Sequence, residues 1–250
     1  MLNTGVPILG VDIGGSGMKA ALVDVAAGTL VSERHRIKTP KPALPHAMVA
    51  VFEQLRMHFD YSGPIGCAFP GVIRRSAMVA TAANLDESWV GVNAAEMFSS
   101  SQTPSITMVN DADAAGIAEM SAGAGVDQLG TVVMITVGTG LGSAVFRDGV
   151  LVPNTEFGHV EINGIGAEIR ASARVIDDFG LTFEQWAPRF QAYLEHLELL
   201  LSPDLFIIGG GISKEFDSWS HLVAVETRMV AAATKNHAGI IGAAQIAASR

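Results

Sequence analysis

The chain of 250 residues reads as an α/β protein made of two related lobes, and three observations lead there. Short apolar runs alternate with stretches whose apolar residues recur at helical spacing. An internal repeat sets Asp12-Ile13-Gly14-Gly15-Ser16-Gly17-Met18-Lys19-Ala20-Ala21-Leu22-Val23-Asp24 against Thr136-Val137-Gly138-Thr139-Gly140-Leu141-Gly142-Ser143-Ala144-Val145-Phe146-Arg147-Asp148 without a gap, and each copy then reaches a Gly-x-Leu-Val strand start, at Gly28–Val31 and Gly149–Val152. One glycine turn arises easily by chance; two with matching flanks indicate lobes that each open on strand, glycine turn, strand. Composition agrees, since 49% hydrophobic and 16% charged residues favour a packed core over disorder.

Taken in order, Ile8–Ile13, Met18–Asp24 and Leu30–Ile37 read as a meander of three strands joined at Gly14–Gly17 and Ala27-Gly28. Thr39-Pro40-Lys41-Pro42 is a stiff extended connection, and Met48, Val51, Phe52, Leu55 and Phe59 give helical spacing over 45–59. Ile65–Phe69 is a buried strand, Pro70-Gly71 a turn, and Val72–Ala80 a possible returning strand before the polar loop Asn84–Trp89. Ile106–Val109 is a strand feeding a helix over Asp111–Gly123. Thr131–Val137 and Gly142–Phe146 form a hairpin; this is the longest uncharged stretch, but its glycines, Thr and Ser suit strands and a turn better than a membrane span. Leu181 to Leu201 has helical spacing with Pro188 near its start or making a kink, Leu205–Ile208 is a strand running into Gly209-Gly210-Gly211, and Gly239–Ala248 closes the chain as a helix of small residues. The first lobe is expected over 1–110, the second over 111–238, with the closing helix packed back on the first.

Charge and cysteine usage remove several functions. A net charge of −9 disfavours a broad nucleic-acid or anionic-membrane surface. The single Cys67 excludes an intramolecular disulfide and a multi-cysteine metal site, so a reducing cytoplasm is expected. No basic segment precedes the first apolar run, which Asp12 interrupts, so no signal peptide is expected.

The chemistry concentrates in a few places. Asn110-Asp111 ends an apolar strand where a helix begins, which is where α/β proteins bind ligands; either residue also serves simply as a cap. The two turns rich in Gly and Ser/Thr, Gly14–Gly17 and Gly138–Gly140, suit a nest of backbone N–H groups for phosphate oxygens, with the ordinary hairpin turn as the competing reading. Asp12 is placed to hold Mg²⁺ through water and Lys19 to neutralise phosphate charge. Glu156-Phe157-Gly158-His159, with Glu168 beyond, supplies the mixture of acceptors and an adaptable donor that sugar hydroxyls demand; a solvated acidic loop remains the alternative. No second His or Cys stands at ligand spacing from His159, so a metal role is disfavoured.

Together DIGGSGMK at Asp12–Lys19, NDADAAG at Asn110–Gly116, GTGLGSA at Gly138–Ala144, EFGH at Glu156–His159 and GGGIS at Gly209–Ser213 resemble the ROK family of sugar kinases. TAANLDESW at Thr81–Trp89 and PNTEFGHVEINGIGAE at Pro153–Glu168 are similar to the polyphosphate-using glucokinase branch of that family. The resemblance implies an actin/hexokinase-like (ribonuclease H-like) fold with a cleft between the lobes. It implies Asp111 as the base, glucose contacts from Gly71, Asn84, Asn110, Asp111, Glu156, His159 and Glu168, and phosphate contacts from Gly14, Gly15, Ser16, Gly17, Lys19, Gly138, Thr139 and Gly140. Gly209, Gly210 and Gly211 match a nucleotide-side motif. Glu161–Arg170 lacks the cysteines that family members usually carry after the Gly-His element, so no zinc is expected, as in the polyphosphate-using branch.

The expected reaction is transfer of the terminal phosphoryl group of polyphosphate, with ATP as a further donor, to the 6-hydroxyl of glucose with Mg²⁺, in a cytoplasmic homodimer that binds neither nucleic acid nor membrane. The alternatives are a strictly ATP-dependent ROK glucokinase or glucomannokinase, a catalytically silent sugar-binding protein, and a sugar-responsive repressor, which the early first strand and acidic charge disfavour. A polyanionic donor also asks for a local basic track, for which Arg34-His35-Arg36, Lys38, Lys41 and Arg74-Arg75 are the candidates; an exposed strand edge guarded by cations is the alternative.

Overall fold

The computed structural model describes residues 5–100 and 105–249, and its chain divides into two compact units: residues 1–118 with 237–250, and residues 119–236. Unit 1 opens with β1 (Ile8–Ile13) and β2 (Met18–Asp24), followed by β3 (Thr29–Leu30), β4 (His35–Ile37), α1 (Pro45–His58), β5 (Ile65–Phe69), α2 (Ala94–Phe98), β6 (Ile106–Asn110) and α3 (Asp111–Ala122), whose last turn passes into unit 2. Its sheet runs β3-β2-β1-β5-β6, with β4 also paired to β2; β1 and β2 are antiparallel, while β1, β5 and β6 are mutually parallel. The predicted third strand over Leu30–Ile37 is therefore two short strands, β3 and β4, laid on different stretches of β2. The predicted return over Val72–Ala80 shrinks to an isolated bridge, Ile73 to Val79, around a short 3₁₀ turn at Arg75–Ala77, where Ser76 and Ala77 have left-handed φ values of 59° and 58°. A continuous strand cannot pass through two such residues.

Unit 2 holds β7 (Thr131–Val137), β8 (Leu141–Arg147), β9 (Val150–Val152), the small hairpin β10 (Glu161–Ile162) and β11 (Ile165–Gly166), α4 (Ala167–Ala171), α5 (Ala173–Phe179), α6 (Phe183–Leu201), β12 (Leu205–Gly209), α7 (Phe216–Trp219) and β13 (Met229–Ala231). Its main sheet runs β13-β12-β7-β8-β9, antiparallel over β7-β8-β9 and parallel over β7-β12-β13. Pro188 lies inside α6, in its second turn, and a capping box at Thr182 and Gln185 starts that helix. Trp186, Phe190 and Trp219 pack one face of the sheet, with Trp186 stacked on Phe190 at 4.9 Å.

The repeat is thus a repeat of topology, antiparallel strands continued by parallel ones, but it contains a length difference that gapless matching conceals. Ile13 pairs with Met18 across residues 14–17, whereas Val137 pairs with Leu141 across residues 138–140 only. The second turn is one residue shorter, so Leu141 stands where Met18 does, and the burial alternation of β8 follows that of β2 on this offset.

The chain re-enters unit 1 with α8 (Ala238–Ala248), which lies against β1 and β5. Here the small residues have a reason: a Cβ on Gly10 would sit 2.1 Å from the Ile240 carbonyl oxygen, one on Gly66 1.7 Å from that of Ala243, and one on Gly242 1.8 Å from that of Ala114 in α3. Helix and sheet backbones touch directly, and any side chain would separate them. Among the described residues no helix is long and apolar enough to cross a membrane.

Candidate active site

In unit 1 the candidate residues are joined by an unbroken series of contacts. Asn110, buried at the end of β6, accepts through Oδ1 from the N–H groups of Ala112 at 2.8 Å and Asp113 at 3.1 Å, so it caps α3. Its Nδ2 donates to the Gly71 carbonyl at 3.1 Å. A Cβ on Gly71 would lie 1.9 Å from the Thr81 carbonyl oxygen, which is why only glycine fits there. The Ala83 N–H donates to the Pro70 carbonyl at 2.7 Å and the Val72 N–H to Thr81 Oγ1 at 2.9 Å, binding the two loop limbs together. Asn84 follows, exposed and in the left-handed region with φ of 59°, and its Cβ lies 2.8 Å from where a Cβ on Gly15 would stand. Fully buried Trp89 anchors this loop, its indole N–H donating to the Ala43 carbonyl at 3.0 Å and its ring stacked on Phe98. The first glycine turn, Asn84, Gly71 and the Asn110-Asp111 step therefore belong to one assembly.

Asp111 is the first residue of α3 and is exposed. Asp111 Oδ1 accepts from Ala112 N–H at 2.9 Å, a donor it shares with Asn110 Oδ1, so its carboxylate is held at the start of α3, where Asn110 also caps the helix.

The first turn is closed by mutual bonds, Gly14 N–H to the Gly17 carbonyl at 3.2 Å and Gly17 N–H to the Gly14 carbonyl at 3.3 Å, with no positive φ in it. Two further groups hold its carbonyls from outside: Thr39 Oγ1 donates to that of Gly14, and Arg36 Nη2 to that of Ser16 at 2.9 Å. The N–H groups of Gly15 and Ser16 have no acceptor among the described residues. Beside the turn, Lys19 Nζ donates to Asp12 Oδ2 at 2.8 Å across directly opposed positions of β2 and β1. No three His, Cys, Asp or Glu among the described residues group closely enough to hold a metal ion alone. Mg²⁺ carried on phosphates takes most of its ligands from phosphate and water, and a single carboxylate accepting from metal-bound water, as part-exposed Asp12 is able to do, fits that need.

Unit 2 presents the second turn in a similar dress. Gly138 N–H donates to the Gly140 carbonyl at 3.0 Å, Arg174 N–H donates to the Gly138 carbonyl at 3.2 Å, and the N–H groups of Thr139 and Gly140 have no acceptor among the described residues. Glu168 Oε2 accepts from Leu141 N–H at 2.9 Å and lies where a Cβ on Gly140 would come within 2.2 Å. Glu168, expected from the sequence to touch glucose, is thus also a support of the second glycine turn. The Glu156–His159 loop is fastened to the start of β8: a Cβ on Gly158 would lie 2.0 Å from the Leu141 carbonyl oxygen, and Phe157 N–H donates to Ser143 Oγ at 3.0 Å. His159 Nε2 stands 3.7 Å from Glu156 Oε2. Burial pushes the Glu156 carboxyl above the usual range; His159 opposes that shift and Glu168 adds to it. The triple glycine follows β12, with Gly210 at φ of 78° and so close to Val137 that a Cβ would fall 2.4 Å from its carbonyl oxygen. The second turn and the triple glycine both lie at the carboxyl ends of adjacent strands β7 and β12.

Thr39 entered the sequence reading only as the start of a stiff connection, and Arg36 only as one cation of a basic track. Lys38, Lys41, Arg74 and Arg75 are exposed.

The model of the ROK family matches residues 8–175. The chain is 45% identical over 236 residues to a polyphosphate glucokinase of Mycobacterium leprae (strain TN), covering 94% of this chain and 72% of the relative. A polyphosphate glucokinase of Mycobacterium tuberculosis (strain CDC 1551 / Oshkosh) is 44% identical, with 94% and 89% covered. Among solved structures, the inorganic polyphosphate/ATP-glucomannokinase from Arthrobacter sp. strain KM superposes with a TM-score of 0.91 at 42% identity, covering 98% of this chain and 99% of that one.

Proposed function

Since this chain belongs to the ROK family and has its actin/hexokinase-like fold, we propose that it is a polyphosphate glucokinase, transferring the terminal phosphoryl group of inorganic polyphosphate to the 6-hydroxyl of glucose. The observation that carries the reading is the assembly in unit 1, where a turn whose Gly15 and Ser16 N–H groups have no acceptor among the described residues is packed against the Asn84 loop, which leads through Gly71 to Asn110 and Asp111.

Phosphoryl transfer needs positioning and charge stabilisation more than covalent help. Asp111 accepts the proton of the glucose 6-hydroxyl as its oxygen attacks phosphorus. Asn84, Asn110, Glu156, His159 and Glu168 orient the sugar; Asn110 keeps its Oδ1 on the helix cap and one Nδ2 hydrogen on the Gly71 carbonyl, so it contributes through the second Nδ2 hydrogen. The N–H groups of Gly15, Ser16, Thr139 and Gly140 receive phosphate oxygens, and Lys19 offsets their charge. Mg²⁺, when bound with the donor, supplies neutralisation of the phosphate oxygens, with Asp12 receiving its water. ATP is a second donor in this proposal, supported by the polyphosphate/ATP name of the Arthrobacter relative and by the Gly209–Gly211 motif. Its glucomannokinase name makes mannose a sugar to test.

The test is direct: purified protein with Mg²⁺ and glucose, given polyphosphate and ATP in separate reactions while glucose 6-phosphate is followed. Formation of glucose 6-phosphate from polyphosphate is expected. No product with either donor would reject the proposal, and product with ATP alone would replace it by the ATP-dependent glucokinase.

A further inference from the structure

We propose that Arg36 is a positioning residue for the phosphoryl donor at its reacting end, shared by polyphosphate and ATP, and not part of a track along the polyphosphate chain. The inference rests on the kinase reading above and deepens it.

The sheet register places the residue. Asp12 of β1 is opposite Lys19 of β2, and Lys19 is opposite Arg36 of β4, so all three side chains leave the same face of the sheet at the same level. From there the guanidinium reaches the first glycine turn, donating from Nη2 to the Ser16 carbonyl at 2.9 Å. It lies so close to Gly17 that a Cβ there would stand 2.6 Å from Nε and 2.7 Å from Nη2. Gly17 has no positive φ, so its lack of a side chain answers to the guanidinium and not to backbone strain. Buried Thr39, a few residues further on, holds the Gly14 carbonyl in the same manner.

A peptide turn binds an anion only if its N–H groups point at the anion and its carbonyl oxygens point away. Arg36 and Thr39 hold two of those carbonyls on the outer side, leaving the Gly15 and Ser16 N–H groups to face the phosphate. Arg36 also brings a permanent positive charge to a row in which Asp12 and Lys19 already pair. An edge-guarding cation would need neither the hydrogen bond to Ser16 nor the contact with Gly17.

Arg36→Ala and Arg36→Gln are compared with the parent for the KM of polyphosphate, ATP and glucose and for kcat. Arg36→Ala is expected to raise the KM of both donors at least about tenfold and by similar factors, with the glucose KM within about twofold. Arg36→Gln, which can still donate to the Ser16 carbonyl but carries no charge, should recover part of that loss. A rise confined to polyphosphate would assign Arg36 to a track and overturn the proposal. So would unchanged donor KM values, or a glucose KM that rises as far as those of the donors. Calorimetric titration of parent and Arg36→Ala with tripolyphosphate in Mg²⁺, without glucose, reads the same site without turnover. Weaker tripolyphosphate binding in the variant supports the assignment even if the parent fails to phosphorylate glucose; equal binding overturns it.

Discussion

Gly15→Ala probes the contact between the turn assigned to the donor and the loop assigned to the sugar. The new Cβ would lie 2.8 Å from the Asn84 Cβ and 2.9 Å from its carbonyl oxygen, where ordinary contact begins at 3.4 Å, so the two must part by at least 3.4 − 2.8 = 0.6 Å. The Gly15 side is held by the mutual Gly14–Gly17 bonds, while Asn84 is exposed and only its neighbour Ala83 is tied down. Most of the displacement therefore falls on Asn84. Each hydrogen bond its amide makes to a sugar hydroxyl is worth about 0.5–1.5 kcal/mol; losing one or two raises the glucose KM about tenfold, since about 1.4 kcal/mol corresponds to a factor of ten. The backbone N–H of residue 15 survives the substitution, so the donor KM should change less. Gly14→Ala is the control, because its Cβ would meet only the Gly17 carbonyl oxygen at 3.1 Å, and its glucose KM should stay within about twofold. Initial rates varied in glucose at saturating polyphosphate, then the reverse, give all four constants. A glucose KM in Gly15→Ala equal to that of Gly14→Ala, with the donor KM raised, would refute the coupling of turn and sugar loop.

Other outcomes follow from the same geometry. Asp111→Asn keeps the shape but cannot take a proton, so kcat should fall at least about a hundredfold while the melting temperature holds, because Asn110 caps α3; near-normal turnover would remove Asp111 as the base. The raised Glu156 carboxyl keeps its proton to higher pH than an ordinary glutamate, so the glucose KM should start to climb, as pH falls, above the usual carboxylate range. Glu168→Gln removes the like charge that adds to this shift, and should move that acidic limb to lower pH; a limb that stays put would detach Glu156 from it. Glu119, fully buried, accepts from the N–H groups of Ala124, Ala233 and Thr234 at 2.7, 3.0 and 2.7 Å and from the Thr234 hydroxyl. Glu119→Gln turns one acceptor into a donor facing donors, with an expected loss of about 2–3 kcal/mol, or roughly 5–10 °C in calorimetric melting temperature; an unchanged melting temperature would contradict this.

Strands such as Ile8–Ile13, Met18–Asp24 and Ile65–Phe69 were legible because their apolar runs are bounded by turn residues. Leu30–Ile37 misled because no Gly or Pro in it marks the place where the chain leaves β2 and rejoins it further along, a choice made by pairing and not by local preference. Sequence alone left Asn110 and Asp111 tied as caps, and only the bond from Asn110 Nδ2 to Gly71, remote in sequence, fixes which side chain turns inward. Glycine motifs marked the turns, but what surrounds them was hidden. Arg36 and Thr39 reach the first turn through strand register, and Glu168 reaches the second through a short helix, neither of which leaves a local pattern.

Unit 1 is discontinuous, and that orders events during synthesis. Its sheet strands all emerge early, yet the helix whose backbone seats directly on Gly10 and Gly66 is α8, made only after the whole of unit 2. Until the ribosome has delivered residues 238–248, the glycine-lined face of β1 and β5 lies bare, while unit 2, encoded without interruption, can already fold. A nascent chain halted before α8 is thus expected to carry a finished second unit attached to a first unit whose β1 and β5 glycines still lack their covering helix, a state inviting to chaperones.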